Sequence, residues 1–264
     1  MQGYYHIARL ASILCLCLGL PAAAAAQDAL LLGTRAMESH DFQTARRHLE
    51  EAVRVDPASY EGNWRLAAVL LDIGKQVPEE KRDPARDSLY VVAESYARRA
   101  TAAKPDGADG HFILANAIGR TSLTKSKKER IQRAAEIRAE ALRAIELDPK
   151  HDGAYHVLGR WHAEIQRLSS LERFFAKNFM GAAIFNEASW DEAERLLRVA
   201  VDLRPQWIYH RLDLALIMAD RNEWNQAKLQ LDAIAQLPPV EPMDAAYKRQ
   251  ALALAARVAT HLKP

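Results

Sequence analysis

A set of small and large apolar residues recurs about five times along this chain, with a period of roughly 34 residues where no insertion lengthens it. The clearest copy has the small residues Gly33 and Ala45, the large residue Leu49 and the proline Pro57. Small residues at such offsets are typical of two helices that cross at close range, and the proline is typical of the end of the second helix. Because one hairpin cannot bury its apolar face alone, the pattern predicts a stack of helical hairpins.

These offsets resemble those of the tetratricopeptide repeat, a helix-turn-helix unit. The resemblance implies an all-α fold, a right-handed solenoid of about five tetratricopeptide repeats with inserted loops and a C-terminal capping helix. Within the first repeat, we expect Leu32 and Leu49 to fill the space between the two helices. Composition agrees with an all-helical chain, since aromatic residues make up 7% of it and glycine is scarce at 11 residues.

The later copies of the pattern are longer or weaker. Insertions of roughly 14, ten and 22 residues are predicted between the two helices of the second, third and fourth repeats, and the fifth repeat has none. The residues that define these four repeats are Ala67, Ala93 and Pro105; Ala115, Ile137 and Pro149; Gly159, Ala193 and Pro205; and Ala215, Ala227 and Pro239. A last amphipathic stretch, about 243–262, is predicted to form the capping helix.

The first residues have the pattern of a secretory signal peptide. A basic residue precedes an apolar run at 10–20, and the small residues Ala24 and Ala26 stand where a signal peptidase requires them. We therefore expect residues 1–26 to be a signal peptide and residues 27–264 to be the repeat domain. The predicted location is the periplasm or the exterior; an uncleaved signal would instead anchor the chain in a membrane.

Cysteine content and charge exclude several classes of function. Both cysteines, Cys15 and Cys17, lie in the apolar run, so the mature chain is expected to have no disulfide, thiol nucleophile or thiolate zinc site. The chain has 36 Lys+Arg and 34 Asp+Glu, and this balance argues against a nucleic-acid partner. The densest basic run begins at Lys125 and is interpreted as a solvated helix face; contact with an anionic lipid or phosphate is the alternative.

The sequence contains no pattern of a catalytic site. It has no glycine-rich phosphate loop, no HExxH helix and no nucleophile elbow. His151, His156 and His162 are close in sequence, but their spacing puts them on different helix faces and no acidic residue completes a metal set. We interpret them as capping, packing or groove-lining residues. The sequence therefore predicts no enzyme, no metal and no cofactor.

In a tetratricopeptide solenoid, the first helix of each repeat lines a concave groove. The candidates for contact with a protein or peptide partner are Trp64, Phe112, Asn116, Arg120, His156, Arg160, Tyr209 and Leu212. Asn116 and Arg160 hold the same position in successive repeats, so we expect their side chains to converge on a carboxylate or phosphate, with Arg160 making a bidentate contact. The alternative is that they pair with Glu164 or Asp72 as ordinary surface residues.

The insertion in the fourth repeat predicts an extra amphipathic helix. Ser169 and Glu172 have the spacing of a capping box, and Phe174, Phe175 and Phe179 follow on one helical face. This helix is expected to pack across the repeat junction, to form a lid over the groove, or to contact a membrane surface. A lid suits a carrier of a lipid or another apolar small molecule, which is the alternative to a protein-binding scaffold.

One segment carries a narrower resemblance. The glycine-arginine-tryptophan run at 159–161, the Ser169 and Glu172 pair and the helix start at 188–193 are similar to those of the regulator of microtubule dynamics family. The resemblance spans about 110–264. It implies an all-helical adaptor without enzymatic activity, associated in eukaryotes with microtubules and mitochondria. An exported chain would meet no microtubules, so we expect a different protein or peptide partner here. The resemblance also implies that Arg160 and Trp161 are important; the alternative for Trp161 is a role as a core anchor.

Overall fold

The computed structural model describes residues 23–77, 83–170, 172–174 and 183–262. Most of the predicted signal peptide lies outside these residues. The described chain is built of helices and turns, with no strand among them, so the predicted all-α fold is confirmed. The helices are α1 (23–38), α2 (Phe42–Val55), α3 (Tyr60–Lys75), α4 (Pro84–Ala103), α5 (Ala108–Ser122), α6 (Lys127–Leu147), α7 (Asp152–Arg167), α8 (Trp190–Leu203), α9 (Ile208–Asp220), α10 (Trp224–Gln236) and α11 (Asp244–His261).

Consecutive helices form hairpins, and each hairpin packs on the next. The odd-numbered helices from α1 to α9 are the first helices of five repeats. Helix α11 packs on both α9 and α10, as the first helix of a further repeat would. Its bounds agree with the predicted capping helix, which is therefore confirmed.

The helix ends follow from local chemistry. Asp41 and Ser59 accept hydrogen bonds from backbone N–H groups in the first turns of α2 and α3, and Ser126 and Glu129 form a capping box at the start of α6. Each second helix of the first four repeats ends two residues before a proline, because proline cannot continue the backbone hydrogen bonding of a helix. These prolines are Pro57, Pro105, Pro149 and Pro205.

The small residues of the repeat pattern lie where two helices touch. A Cβ atom added to Gly33 would lie 2.7 Å from the Cγ atom of Leu49, and Ala45 is completely buried. The prediction for Leu32 is wrong, since its side chain is 46% exposed. Helix α1 is the first helix of the described stack and has a neighbour on one side only, so Leu32 points away from the hairpin contact.

The insertions lengthen helices as well as loops. The second repeat was predicted to carry an inserted loop around Pro84, but α4 begins at that proline and has 20 residues. Helix α6, in the third repeat, has 21 residues, against 14 in α2. Part of each insertion is therefore helical, because a polar cap and strong helix-forming residues extend both helices into the inserted sequence.

The stack curves until its two ends approach each other. His40, in the turn after α1, has its Nδ1 atom 3.7 Å from a carboxylate oxygen of Glu241, which lies just before α11. Both side chains are about one-third exposed, so this contact adds little stability. It does place the segment before the capping helix beside the first repeat.

The close helix contacts lead to a prediction for two glycines. A Cβ atom at Gly159 would lie 2.9 Å from the Cγ atom of Leu197 and 3.2 Å from the carbonyl oxygen of Ala193. We expect Gly159→Ala to lower the free energy of unfolding by about 1–3 kcal/mol, because helix α8 must shift. At Gly119 a Cβ atom meets no neighbouring atom of the described residues within 4 Å. Gly119→Ala is the control and should gain up to about 1 kcal/mol in helix propensity. Urea unfolding measures the free energy of unfolding of both variants. A loss of stability in both, or a gain in both, would contradict the close helix contact at Gly159.

Candidate partner-binding groove

The predicted groove residues fall on the first helices of four consecutive repeats, α3, α5, α7 and α9. Several of them keep part of their surface exposed, as contact with a partner requires. These partly exposed residues are Trp64, Phe112, Asn116, Arg120, Arg160 and Tyr209. The other two, His156 and Leu212, are 4% and 1% exposed. Their assignment as contact residues is corrected: Leu212 belongs to the core between α9 and its neighbours, and His156 lies beneath the groove surface.

At one end of the groove, aromatic rings are held by neighbouring side chains. The indole N–H of Trp64 donates to a carboxylate oxygen of Glu61 at 3.0 Å, and the guanidinium of Arg65 lies 4.2 Å from the centre of the Trp64 ring. Phe112 packs on His151, with ring centroids 4.5 Å apart. These contacts fix the rings while leaving part of each exposed.

In the middle of the groove, Arg160 is already paired within the chain. Its guanidinium donates to the Tyr209 hydroxyl at 2.6 Å, and its Nε atom lies 3.4 Å from a carboxylate oxygen of Asp213. Glu164 lies 3.7 Å away on the same helix. The predicted use of Arg160 as a bidentate anion receptor is therefore corrected, because its charge is balanced by two carboxylates. For Arg160, the contact with Glu164 agrees with the alternative interpretation.

Beneath this surface, a line of four polar side chains connects α7 to α9. Asp152 lies 2.8 Å from Nε2 of His210, and Nδ1 of His210 lies 2.8 Å from Nδ1 of His156. At the other end, Nε2 of His156 is 3.0 Å from a carboxylate oxygen of Asp213. We call these four residues the acid-histidine chain. It ties the two helices that carry Arg160 and Tyr209.

Sequence reasoning missed Asp152, His210 and Asp213 as members of the site. The signal was a spacing of four: Asp152, His156 and Arg160 lie on one face of α7. The spacing of histidines within one repeat does not reveal the chain, because the partner of His156 lies 54 residues away. The other two histidines act as expected. His151 accepts a hydrogen bond from the N–H of Ala154 at the start of α7, and His162 accepts one from the N–H of Ser189.

Burial and nearby charges shift the pKa values in the acid-histidine chain. Burial acts to raise the pKa of Asp213, but Arg160 and His156 lower it to about 2. Burial opposes ionisation of Asp152 as well, yet the hydrogen bond from its histidine partner and the charge of Arg204 lower the pKa of that carboxyl group. Burial lowers the pKa of His156 to about 4, against the effect of Asp213. At neutral pH both carboxylates are therefore ionised and His156 is neutral.

The capping helix contributes an aromatic residue that sequence reasoning did not include. Tyr247 stacks on Tyr209, with ring centroids 4.8 Å apart and planes inclined by 20°. Burial raises the pKa of Tyr247, and the charge of Arg120 acts in the opposite direction. Arg120, on α5, is thus close enough to act electrostatically on a residue of α11. The capping helix thus adds an aromatic ring next to the groove residue Tyr209.

Trp161 is a core anchor, as the alternative interpretation held. Its side chain is 4% exposed, and its indole N–H donates to the carbonyl oxygen of Ala134 in α6 at 2.7 Å. The ring also meets Phe185 edge to face at 6.2 Å. Phe185 belongs to a 3₁₀ helix, Ala183–Glu187, on the returning part of the fourth-repeat insertion. That part of the insertion packs across the repeat junction.

The outgoing part of the insertion begins with the predicted capping box. The N–H of Ser169 donates to a carboxylate oxygen of Glu172 at 3.0 Å, and the N–H of Glu172 donates to the Ser169 hydroxyl at 3.2 Å. Phe174 follows with 55% of its surface exposed. Phe175 and Phe179 lie outside the described residues.

In the described part of the chain, no group of three or more histidine, cysteine, aspartate or glutamate side chains has an arrangement that would hold a metal ion. None of the described helices combines the length and the apolar character that crossing a membrane requires.

Comparison with known proteins identifies the family. The family model described as regulator of microtubule dynamics protein 1-3 matches residues 28–259. The chain belongs to this family. The match begins well before residue 110, where the sequence analysis placed the start of the resemblance, so the first two repeats share the family pattern as well.

A curated relative from the rat is distant in sequence. Regulator of microtubule dynamics protein 3 of Rattus norvegicus is 23% identical over 187 residues, which are 70% of this chain and 39% of the rat protein. The chain thus spans about two-fifths of the curated relative that it matches.

Two solved structures share the fold. A thermophilic TPR protein from Thermus thermophilus has a TM-score of 0.58 at 18% identity, with 90% of this chain and 98% of that chain covered. PilF of Pseudomonas aeruginosa has a TM-score of 0.54 at 16% identity, with 92% of each chain covered. This similarity shows that the fold is a tetratricopeptide solenoid. Because one fold can serve many functions, the function depends on the residues of the groove.

The family resemblance marked Trp161, and its contacts predict a cost of replacement. We expect Trp161→Phe to lower the free energy of unfolding by about 2–4 kcal/mol, because it removes a buried hydrogen bond and leaves a cavity between α6 and α7. Trp224, which stacks on His261 at the end of the solenoid, provides the control. In urea unfolding, Trp224→Phe should lower the free energy of unfolding by less than half as much as Trp161→Phe. An equal loss in both variants would show that Trp161 is not a core anchor.

Proposed function

We propose that this chain is a non-enzymatic scaffold that holds an extended segment of a protein partner in its concave groove. One observation carries the proposal: partly exposed aromatic, amide and cationic side chains form a row across the first helices of four consecutive repeats. The row comprises Trp64, Phe112, Asn116, Arg160 and Tyr209. Rigid aromatic rings beside polar groups are the side chains that most often anchor protein interfaces.

The length of the row suits a short peptide segment. Neighbouring packed helices lie about 8–10 Å apart, so four of them span about 24–30 Å. An extended chain advances about 3.3 Å per residue, which gives about eight residues of partner across the row. Contacts on this scale favour an extended segment over a small metabolite.

A photo-crosslinking amino acid in place of Asn116 tests the groove in the cells that produce the protein. We expect covalent adducts from this position, because it lies in the middle of the row. The same amino acid in place of Leu229 is the matched control. Leu229 is 60% exposed on α10, a second helix of its repeat, and should give no comparable adduct. Adducts of equal yield at both positions, or none at Asn116, would count against groove binding.

A second variant tests whether Arg160 contributes to partner binding, with the crosslinking yield at position 116 as the measure. Arg160→Ala removes the cation that positions Tyr209, so the yield at Asn116 is expected to fall by about tenfold, the effect of losing roughly 1.4 kcal/mol of binding free energy. Circular dichroism of the variant establishes that the solenoid is intact. An unchanged yield in a folded variant would remove Arg160 from the contact surface.

A carrier of a lipid or another apolar small molecule is the second candidate. Its support is Phe174, which exposes 55% of its surface directly after the capping box of the insertion. On this proposal, native mass spectrometry of gently purified protein detects a bound apolar molecule, and Phe174→Asp lowers its occupancy. A clean mass for the unliganded chain would leave the peptide-binding scaffold as the better account.

We also propose that the chain is exported and that its mature form begins at Gln27. The support is the apolar run at 10–20 followed by small residues. Residues 23–26 form the first turn of α1 and are mostly exposed, so their removal would cost little packing. N-terminal sequencing of protein from the periplasm or the medium should find Gln27 first, and an intact N-terminus would indicate an uncleaved signal.

A further inference from the structure

Gly119 differs from the other glycines in the described part of the chain. At each of the other seven, an added Cβ atom would lie within 3.0 Å of a neighbouring side chain, so close packing explains why no larger residue stands there. At Gly119, an added Cβ atom would meet no neighbouring atom of the described residues within 4 Å. Packing among these residues therefore does not require a glycine at this position.

The backbone at position 119 does not require a glycine either. Gly119 lies within α5, where the backbone is helical and other residue types fit as well. Glycine lowers the stability of a helix interior relative to alanine, because its backbone loses more conformational freedom on folding. A residue that lowers stability, with no reason for it among the described residues, indicates a requirement of function.

The face of α5 that carries Gly119 is the face that lines the groove. Asn116 lies one turn before Gly119 and Leu123 one turn after it, so the three residues follow one another along the helix. Asn116 and Gly119 are partly exposed, and Leu123 is 57% exposed although its side chain is large and apolar. The backbone of α5 is therefore open to the groove at Gly119. We call this opening the Gly119 notch.

We propose that an apolar side chain of the bound partner segment rests on the backbone of α5 in the Gly119 notch. The proposal rests on the proposed function, because its occupant is part of the segment held in the groove. Without a Cβ atom in the way, a carbon atom of the partner approaches the helix backbone to van der Waals distance, about 3.5–4.0 Å. The same side chain covers Leu123, so apolar surface of both partners leaves water.

The charges of the neighbouring first helices favour an apolar occupant over a charged one. On α3, the Nζ atom of Lys75 lies 2.9 Å from a carboxylate oxygen of Asp72. On α7, Arg160 is paired with Asp213 of α9. A charged partner side chain would have to compete with these pairs for its counter-charge, whereas an apolar side chain leaves them intact.

Substitution of Gly119 tests the proposal, with the crosslinked adduct from position 116 as the probe. Gly119→Ala and Gly119→Leu fill the notch with a methyl group and with a branched side chain. We expect the adduct yield to fall roughly threefold in the first variant and roughly tenfold or more in the second, because the added carbon atoms take the space of the partner side chain. In urea unfolding, both variants should be at least as stable as the parent.

Ala139→Leu provides the matched control. Ala139 is exposed on α6, a second helix of its repeat, so the same branched side chain is added away from the groove and the yield should not change. If the parent gives no adduct at position 116, the proposed function fails and this proposal fails with it. An adduct of equal yield in the parent and in Gly119→Leu overturns this proposal alone. Lower stability or failure to fold in Gly119→Ala would also overturn it, because folding would then require the glycine.

Position 123 identifies the occupant of the notch. A photo-crosslinking amino acid in place of Leu123 should give an adduct with the same partner that position 116 captures, as determined by mass spectrometry. A crosslink to another residue of this chain, within one copy or between two, would overturn the proposal, as would the absence of an adduct. Leu123→Gln should lower the yield at position 116 by roughly fivefold, since it removes apolar contact area. An unchanged yield would contradict an apolar occupant.

Discussion

The close approach of two helices at small residues is the contact on which the rest of this structure depends. At Gly33 and Gly159 the facing leucine lies so near that a Cβ atom has no room, and Ala45 and Ala193 are completely buried at the same level of their repeats. Such contacts fix how each hairpin crosses, and the stacking of hairpins then fixes the curvature. The shape of the groove therefore depends on how the first helices pack against the second helices, on the face opposite to the groove.

The acid-histidine chain is an exception to this apolar packing. Burying two carboxylates between α7 and α9 is costly unless cations and hydrogen bonds compensate for the lost water. Arg160 and Arg204 supply positive charge, and each carboxylate also lies within 3.0 Å of a histidine ring nitrogen. The same residues position Tyr209 and, through it, Tyr247. A rigid polar connection at the centre of the groove thus fixes the side chains most suited to contact a partner.

The fold could be predicted from the sequence because its signals are local: caps, prolines and small residues recur at fixed offsets. The site was predicted less well. Arg160 lies on the first helix of its repeat and is partly exposed, but its charge is paired with Asp213, a residue 53 positions further along the chain. The prediction that Leu32 is buried was wrong for a related reason. An apolar residue type indicates burial, but it does not tell whether a neighbouring helix is present to cover the side chain. Both errors concern contacts between repeats, which the pattern of one repeat does not contain.

The groove also depends on both ends of the solenoid. Tyr247 comes from the capping helix, and Glu241, just before that helix, meets His40 beside the first repeat. The family match extends over all of these elements, from residue 28 to residue 259. A capping helix is often considered only as cover for the last apolar face, but here it also places an aromatic ring against Tyr209, a residue of the groove. Specificity in this chain should therefore be sought where α11 faces α5 and α9, rather than in any single repeat.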